Sequence, residues 1–252
     1  MKKVISIIPA RGGSVGIPGK NLKDFCGKPL IAWAIEASKA SKHVQRTIVS
    51  TDCIEIAEVA KSYGAEVPFL RPKELASNEI AIEPTLKHTV DFLIKSENYR
   101  PDLVCLLLPT NPLRTTEIID SCVKIAEGGD YDCVLTVNEI PANHTPFWSL
   151  VQREGKACFY FEKDFNSRFA RRQDFPERCF AKNDLVFVFQ PRNLFADKPS
   201  MFGKGDKVKF CETPSFLDGD INTTSEWIIT ENLFRFFQSE EGKKISDEFK
   251  NI

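Results

Sequence analysis

The feature that most restricts how this chain can fold is the alternation of short apolar runs with helical patterns. Residues 5–9 form an apolar run, as a buried strand would, and residues 29–40 follow as a helix with Pro29 placed to start it. A strand at 47–50 precedes a helix that Asp52 can cap and that runs to Tyr63, where Gly64 stops it. Residues 67–70 read as an extended piece, and Leu86, Val90, Leu93 and Ile94 mark one face of a helix beginning near Glu83. The apolar run 103–108 reads as a strand buried on both faces. A helix over 116–127, closed by Gly128 and Gly129, and a strand at 133–137 continue the rhythm. Such a βαβα order predicts an α/β fold: a doubly wound, mostly parallel sheet with helices on both sides. In such sheets ligands sit at the carboxyl ends of the strands.

From 139 to 178 the rhythm breaks into mixed aromatics and charges: Phe147, Trp148, Phe159, Tyr160, Phe161, Phe165 and Phe169. This predicts a small β-rich excursion inserted in a single domain spanning 1–252. Left free in solvent, those rings would form a large apolar patch, which points to a homodimer contact. A strand at 185–189 and a terminal helix through Trp227, Ile228 and 233–237 complete the domain. Thr223 and Glu226 are spaced as a capping box for that helix, and the charged tail from Glu240 reads as a solvated end.

The first strand runs into a glycine-rich loop, Ala10-Arg11-Gly12-Gly13-Ser14-Val15-Gly16-Ile17-Pro18-Gly19-Lys20-Asn21. Glycines let backbone N–H groups turn toward a ligand, and Arg11 and Lys20 beside such a nest suit phosphate. The spacing is not that of a Walker loop, which would need Gly at Ser14 and a hydroxyl at Asn21. It is not the Gly-x-Gly-x-x-Gly of a dinucleotide fold either. Arg11, Gly12, Gly13, Ser14, Lys20 and Asn21 are therefore candidates for binding a nucleotide phosphate.

Composition narrows the partners. The net charge of −1 gives no field favouring nucleic acid or an acidic membrane. The apolar start is cut by Pro9 and Arg11 too early for a signal peptide, and no run approaches the ~18 residues of a membrane span. None of the eight cysteines forms a C-x-x-C pair and several lie in apolar runs, so a reducing, cytoplasmic setting is expected.

The loop resembles the signature loop of the acylneuraminate cytidylyltransferases, the family that makes CMP-sialic acid and related CMP-nonulosonates. Further blocks of that family appear in order along nearly the whole chain. Leu70-Arg71-Pro72-x-Glu74-Leu75-Ala76-Ser77 resembles a block whose Arg approaches the nucleotide, which implies that role for Arg71. Leu108-Pro109-Thr110-Asn111-Pro112-Leu113-Arg114 resembles a turn that faces the sugar acid, which implies substrate contacts for Thr110 and Asn111. Phe169 to Pro176 resembles a block that adds Arg171, Arg172 and Gln173 to the substrate side, and Lys182 stands next to a position where the family has an arginine. Asp218-Gly219-Asp220-Ile221-Asn222-Thr223 resembles an Asp-x-Asp strand that holds Mg²⁺ (or Mn²⁺) with triphosphate oxygens. That implies Asp220 and Asn222 as metal ligands, with Asp218 as a stand-in, and Arg11, Lys20 and Asp220 as the catalytic set.

The resemblance thus implies a Rossmann-like nucleotidyltransferase with a dimerisation arm at 139–178. The implied reaction joins CTP and a 2-keto sugar acid into a CMP-sugar and pyrophosphate. Among the departures from the family pattern, Val15, Leu108, Ala181 and Asn222 each replace a polar or charged group, Asp184 stands in place of a glycine, and residues 78–82 lack the hydroxyls the family tends to place there. The departures admit an enzyme for a differently shaped sugar acid, or a weakly active, nucleotide-binding dimeric relative. A sugar-1-phosphate nucleotidyltransferase is a third alternative, but its Gly-x-Gly-x-Arg loop is not the one present.

Overall fold

A computed structural model describes residues 2–161 and 169–249, with side chains to Ile245. In chain order the elements are β1 (Val4–Pro9), β2 (Asp24–Phe25), β3 (Lys28–Pro29), α1 (Leu30–Ala40), β4 (Arg46–Ser50), α2 (Ile54–Ser62) and α3 (Ile82–Glu97). They continue as β5 (Leu103–Leu106), α4 (Thr116–Glu127), β6 (Cys133–Glu139), β7 (Leu150–Arg153), β8 (Lys156–Phe159), β9 (Phe180–Phe189), β10 (Val208–Glu212), α5 (Thr224–Gln238) and α6 (Glu240–Phe249).

Six of these strands form the central sheet, in the order β10-β6-β9-β5-β1-β4. β1 pairs parallel with β4 and β5, and β10 parallel with β6, while β9 runs antiparallel to both β5 and β6. The side-chain period of two decides what each face buries. Val4 and Ile8 of β1, with Cys105 of β5 and Val186 and Val188 of β9, join the core that α1, α2 and α4 cover. Ile5 and Ile7, with Val104, Leu106, Phe187 and Phe189, join the core on the α3 side. Both faces being covered explains why the strands read as continuous apolar runs.

A third, smaller core joins the loops that follow β1 and β5 to the 218–223 segment. Ile17 of the glycine loop, Leu113 of the turn after β5 and Ile221 pack with Phe25, Leu30, Trp227 and Phe234. Ring pairs of Phe25 with Trp227 and Phe234, at 5.4 and 5.5 Å between centroids, close it. At ~1.5–3 kcal/mol for each large side chain buried, this cluster fastens three separate loops to one another.

The structure corrects several expectations. Asp52 does not cap α2: Cys53 is the N-cap residue, without a side-chain cap bond, because the Asp52 carboxylate is used elsewhere. Residues 67–70 are an extended piece, as expected, flanked by the isolated bridges Ile48–Glu66 and Thr51–Leu70. The tail from Glu240 is helix α6 packed on α5, and Asp218 to Thr223 is not a strand. The capping box of α5 is formed as expected, with Thr223 accepting from Glu226 N. Within 139–178, β7 and β8 make a hairpin whose turn residues Glu154 and Gly155 have φ of 50° and 75°, the left-handed pair that tight hairpins need. Phe147, Phe169 and Phe175 pack on one another there, while Leu150, Tyr160 and Phe161 stand exposed. Phe165 lies outside the described residues.

Candidate functional site

Four segments meet at the carboxyl ends of β1, β4 and β5. The glycine loop leaves β1 at Pro9. Gly12 N donates to Asp52 Oδ1 at 3.0 Å and Ser14 N to Gly12 O at 3.2 Å, which fixes the entry of the loop. The amides of Gly13, Val15 and Gly16 bond to no acceptor among the described residues. These are the donors left for an anion. Gly19 sits at φ 65° and opens the single turn Lys20–Leu22, a conformation other residues adopt only with strain. Asn21 is buried and its amide donates to Arg11 O at 3.0 Å, so it shapes the loop from below.

Lys20 crosses to the second segment. Its Nζ donates to Ile221 O at 2.6 Å. Burial pushes its pKa down, and the nearby Arg11 adds to that, while Asp220 and Glu226 oppose it. The loop and the 218–223 segment touch again at Gly16, where a Cβ would lie 2.0 Å from Asn222 O. Only glycine allows that approach.

The third segment is the turn after β5. Thr110 O accepts from Ile221 N at 2.9 Å, and the Thr110 hydroxyl donates to Asp220 Oδ1. Asn111 is 1% exposed, and its Oδ1 accepts from Gly219 N at 3.3 Å. Asn111 thus holds the neighbouring backbone from a buried position. Asn222 turns its amide N–H toward Asp220 Oδ2. Asp218 has its pKa raised, first by burial and then by the carboxylates of Asp184 and Asp220, with Lys182 opposing. Lys182 is itself paired to Asp184 at 2.7 Å. Among the described residues no group of three or more His, Cys, Asp or Glu side chains is arranged to hold a metal by itself.

The fourth segment carries Arg71, 6% exposed. Its Nη2 donates to Ser50 O at 2.7 Å, Nη1 lies 3.4 Å from Leu75 O and 3.5 Å from Thr85 Oγ1, and Nε has no partner. Desolvation lowers its pKa, partly offset by Asp52. With Arg11, Ser77, Ile80, Thr85 and Leu108 it lines a pocket of about 170 Å³. Arg11 reaches across the mouth to Ser77 O at 3.3 Å.

Two arginines take roles the sequence did not separate. Arg114 is 5% exposed and braces Leu185 O, Leu108 O and, at 3.5 Å, Asp184 O; burial pushes its pKa down to about 10. It is a prop beneath the turn after β5. Arg178 is paired with Glu139 and Glu212 at 2.8 and 2.9 Å, so its charge is already matched.

The block Arg171-Arg172-Gln173 lies on the excursion. Arg171 is exposed and paired with Asp174 at 2.7 Å. Arg172 and Gln173 line a separate groove of about 760 Å³ with Glu139, Arg178 and Ser215. The structure therefore brings Arg11, Gly12, Gly13, Ser14, Lys20, Asn21, Arg71, Thr110, Asn111, Asp218, Asp220 and Asn222 to one edge, and sets Arg171, Arg172 and Gln173 on another surface. Asp52 was missed as the holder of Gly12. Its position at the carboxyl end of β4, across from the loop, was the available signal.

The cytidylyltransferase family matches residues 5–191. A CMP-N,N'-diacetyllegionaminic acid synthase from Legionella pneumophila is 42% identical over 244 residues, which is 94% of this chain and 98% of that one. A pseudaminic acid cytidylyltransferase from Campylobacter jejuni is 43% identical over 218 residues, 79% of this chain and 92% of that one. The solved structure of a CMP:2-keto-3-deoxy-manno-octonic acid synthetase complexed with CTP superposes with a TM-score of 0.68 over 92% of this chain and 98% of that one, at 17% identity. That likeness shows the shared fold, and with the sequence matches it establishes that the chain belongs to the cytidylyltransferase family.

Proposed function

We propose that the protein activates a nonulosonic acid with CTP, giving a CMP-sugar and pyrophosphate. The sugar acid is of the legionaminic or pseudaminic type, as in the relatives 42% and 43% identical to it. In the reaction the anomeric hydroxyl oxygen bonds to the α-phosphorus, the bond from that phosphorus to the bridging oxygen breaks, and the hydroxyl proton is released. Such a transfer asks for neutralised charge and fixed geometry more than for a protein nucleophile. The observation that carries this reading is the junction at residues 220–221. There one short segment receives the Lys20 ammonium from the glycine loop at 2.6 Å and the Thr110 platform at 2.9 Å. The free amides of Gly13, Val15 and Gly16, with Arg11 and Lys20, would bind the triphosphate. Arg71 and its pocket would take the nucleoside.

The donor set fits a divalent cation held jointly with phosphate. Asp220, with Asp218 and Asp184 close enough to raise the Asp218 pKa by like charge, leaves negative charge that a cation would relieve. Mg²⁺ is ordinarily bound through one or two carboxylates plus substrate phosphates, so no all-protein cage is required. Asp220 and Asp218 would hold it, with the Asn222 amide supporting Asp220. The ion would supply neutralisation of developing charge on the phosphate oxygens. Lys182, paired to Asp184 beside Asp218, would contribute to the sugar-acid side. The exposed Leu150, Tyr160 and Phe161 support a homodimer formed through the excursion, and the eight free cysteines suit the cytoplasm.

Pyrophosphate release, measured for each of the four nucleoside triphosphates with Mg²⁺ or Mn²⁺ and a panel of nonulosonic acids, tests the reading. Turnover restricted to CTP and one class of nonulosonate is expected. CTP binding without release for any pairing would instead make the protein a nucleotide-binding relative.

A further inference from the structure

Asp220 stands in a segment that no helix or strand supports, so its carboxylate is aimed by contacts alone. Asn222 holds Oδ2 from within the segment, and the contacts from outside it come mainly from two consecutive residues. Thr110 binds the carboxylate through its hydroxyl and the next residue through its carbonyl, to Ile221 N at 2.9 Å. Asn111 binds the preceding residue through Oδ1, to Gly219 N at 3.3 Å. Asp220 is thus gripped directly and on both flanks. Gly219 leaves no slack behind it, since a Cβ there would lie 2.6 Å from Leu113 Cδ1 of the same turn. The turn itself is rigid, because Pro109 and Pro112 fix two of its φ angles and buried Arg114 holds Leu108 O at 2.8 Å.

From this geometry we propose that Thr110 and Asn111 are positioning residues acting through Asp220, not contacts to the sugar acid. Their task is to hold one Asp220 oxygen in a hydrogen bond so that the carboxylate presents its remaining lone pairs toward the cation and triphosphate. The inference rests on the proposed cytidylyltransferase reading. Removing a hydrogen-bond partner of a ligating carboxylate typically weakens metal binding ~10–100-fold.

The test uses the full chain and Mn²⁺ as the probe, with Mn²⁺ affinity measured by electron paramagnetic resonance in the presence of saturating CTP and in the absence of sugar. Thr110→Val removes the hydroxyl at nearly constant volume, and Thr110→Ser keeps it. Thr110→Val is expected to weaken Mn²⁺ in the CTP complex ~10-fold or more, with Thr110→Ser restoring most of it. Asn111→Ala, which frees Gly219 N without touching the carboxylate, is expected to move Mn²⁺ affinity in the same direction, and it serves if Thr110→Val does not fold. Mn²⁺ affinity unchanged in the folded variants, or a rise confined to the KM for the sugar acid, would overturn the proposal. Because the readout needs no sugar, it is distinct from failure of the reaction itself: a wild-type protein that binds Mn²⁺ and CTP but releases no pyrophosphate removes the proposed activity and leaves this measurement standing.

Discussion

Replacing Gly16 by alanine forces the glycine loop away from the 218–223 segment. The added Cβ would sit 2.0 Å from Asn222 O and 3.2 Å from Asn222 C, both backbone atoms that cannot rotate away. Restoring ordinary contact requires the two segments to part by on the order of 1 Å. Two costs follow. The strain of overpacking is ~1–3 kcal/mol, which for a domain this size lowers Tm by ~2–12 °C. The second is functional, because Lys20 and Asp220 sit on opposite sides of the joint. The Lys20 Nζ to Ile221 O contact of 2.6 Å has little room to follow such a shift. A misplacement of ~1 Å near reacting groups costs ~10²-fold in rate, about 2.7 kcal/mol of transition-state stabilisation. The assay is kcat/KM from pyrophosphate release, with CTP affinity by calorimetry and Tm by scanning fluorimetry. Gly13→Ala is the matched comparison, since its Cβ would meet nothing within 4 Å in the free protein. That variant should keep the wild-type Tm and lose CTP affinity only as far as phosphate needs to approach Gly13. Wild-type kcat/KM and CTP affinity in Gly16→Ala would refute the argument that this contact aligns the two segments.

Three further outcomes are expected. Burial lowers the Lys20 pKa, so its ammonium loses its proton at lower pH than an ordinary lysine; CTP affinity should fall as pH rises through that lowered value, and Lys20→Ala should remove both the affinity and this pH limb in calorimetric titrations. The Glu226 carboxylate accepts from the backbone N–H of Asn222 and Thr223, which holds its pKa below the usual value. Its contribution is therefore present above the unfolded-state pKa and lost as pH falls through the lower folded value, and Glu226→Gln should flatten the acid limb of urea-melt stability, while Thr223→Ala costs ~1 kcal/mol at neutral pH. Leu150, 56% exposed on the β7–β8 hairpin, should be part of the self-association surface, so Leu150→Glu should yield a monomer in sedimentation velocity, and an unchanged dimer would remove the excursion from the interface.

Much of the architecture was legible because burial on both sheet faces writes itself as apolar runs. Helix α4 begins and ends where the pattern and its Gly128-Gly129 stop put it. The direction of β9 was not legible, because a strand buried on both faces carries the same pattern whichever way it runs. Asp52 shows a different limit. As a short acidic residue before an apolar helix it fits a cap, yet its acceptor is spent on Gly12 N across 40 residues of sequence. Arg114 and Asn111 show a third. Nothing in Asn111-Pro112-Leu113-Arg114 reveals that both polar side chains are buried, because apart from Leu108 O their partners include distant backbone groups at 185 and 219, brought there by tertiary packing. The tail from Glu240 reads as charge, but it forms a separate helix, α6, after the extended Ser239, and packs back on α5.

The reversal of β9 has a mechanical result. β6 finishes at Glu139 on the rim where the parallel strands end, and β9, pointing the other way, starts at Phe180 on that same rim. The insertion between them therefore leaves and re-enters at the carboxyl rim of the parallel strands, with its return leading directly into Lys182 and Asp184. A pull exerted on the insertion by a second copy of the chain would be delivered to the Asp184 and Asp218 carboxylates, without crossing the body of the domain.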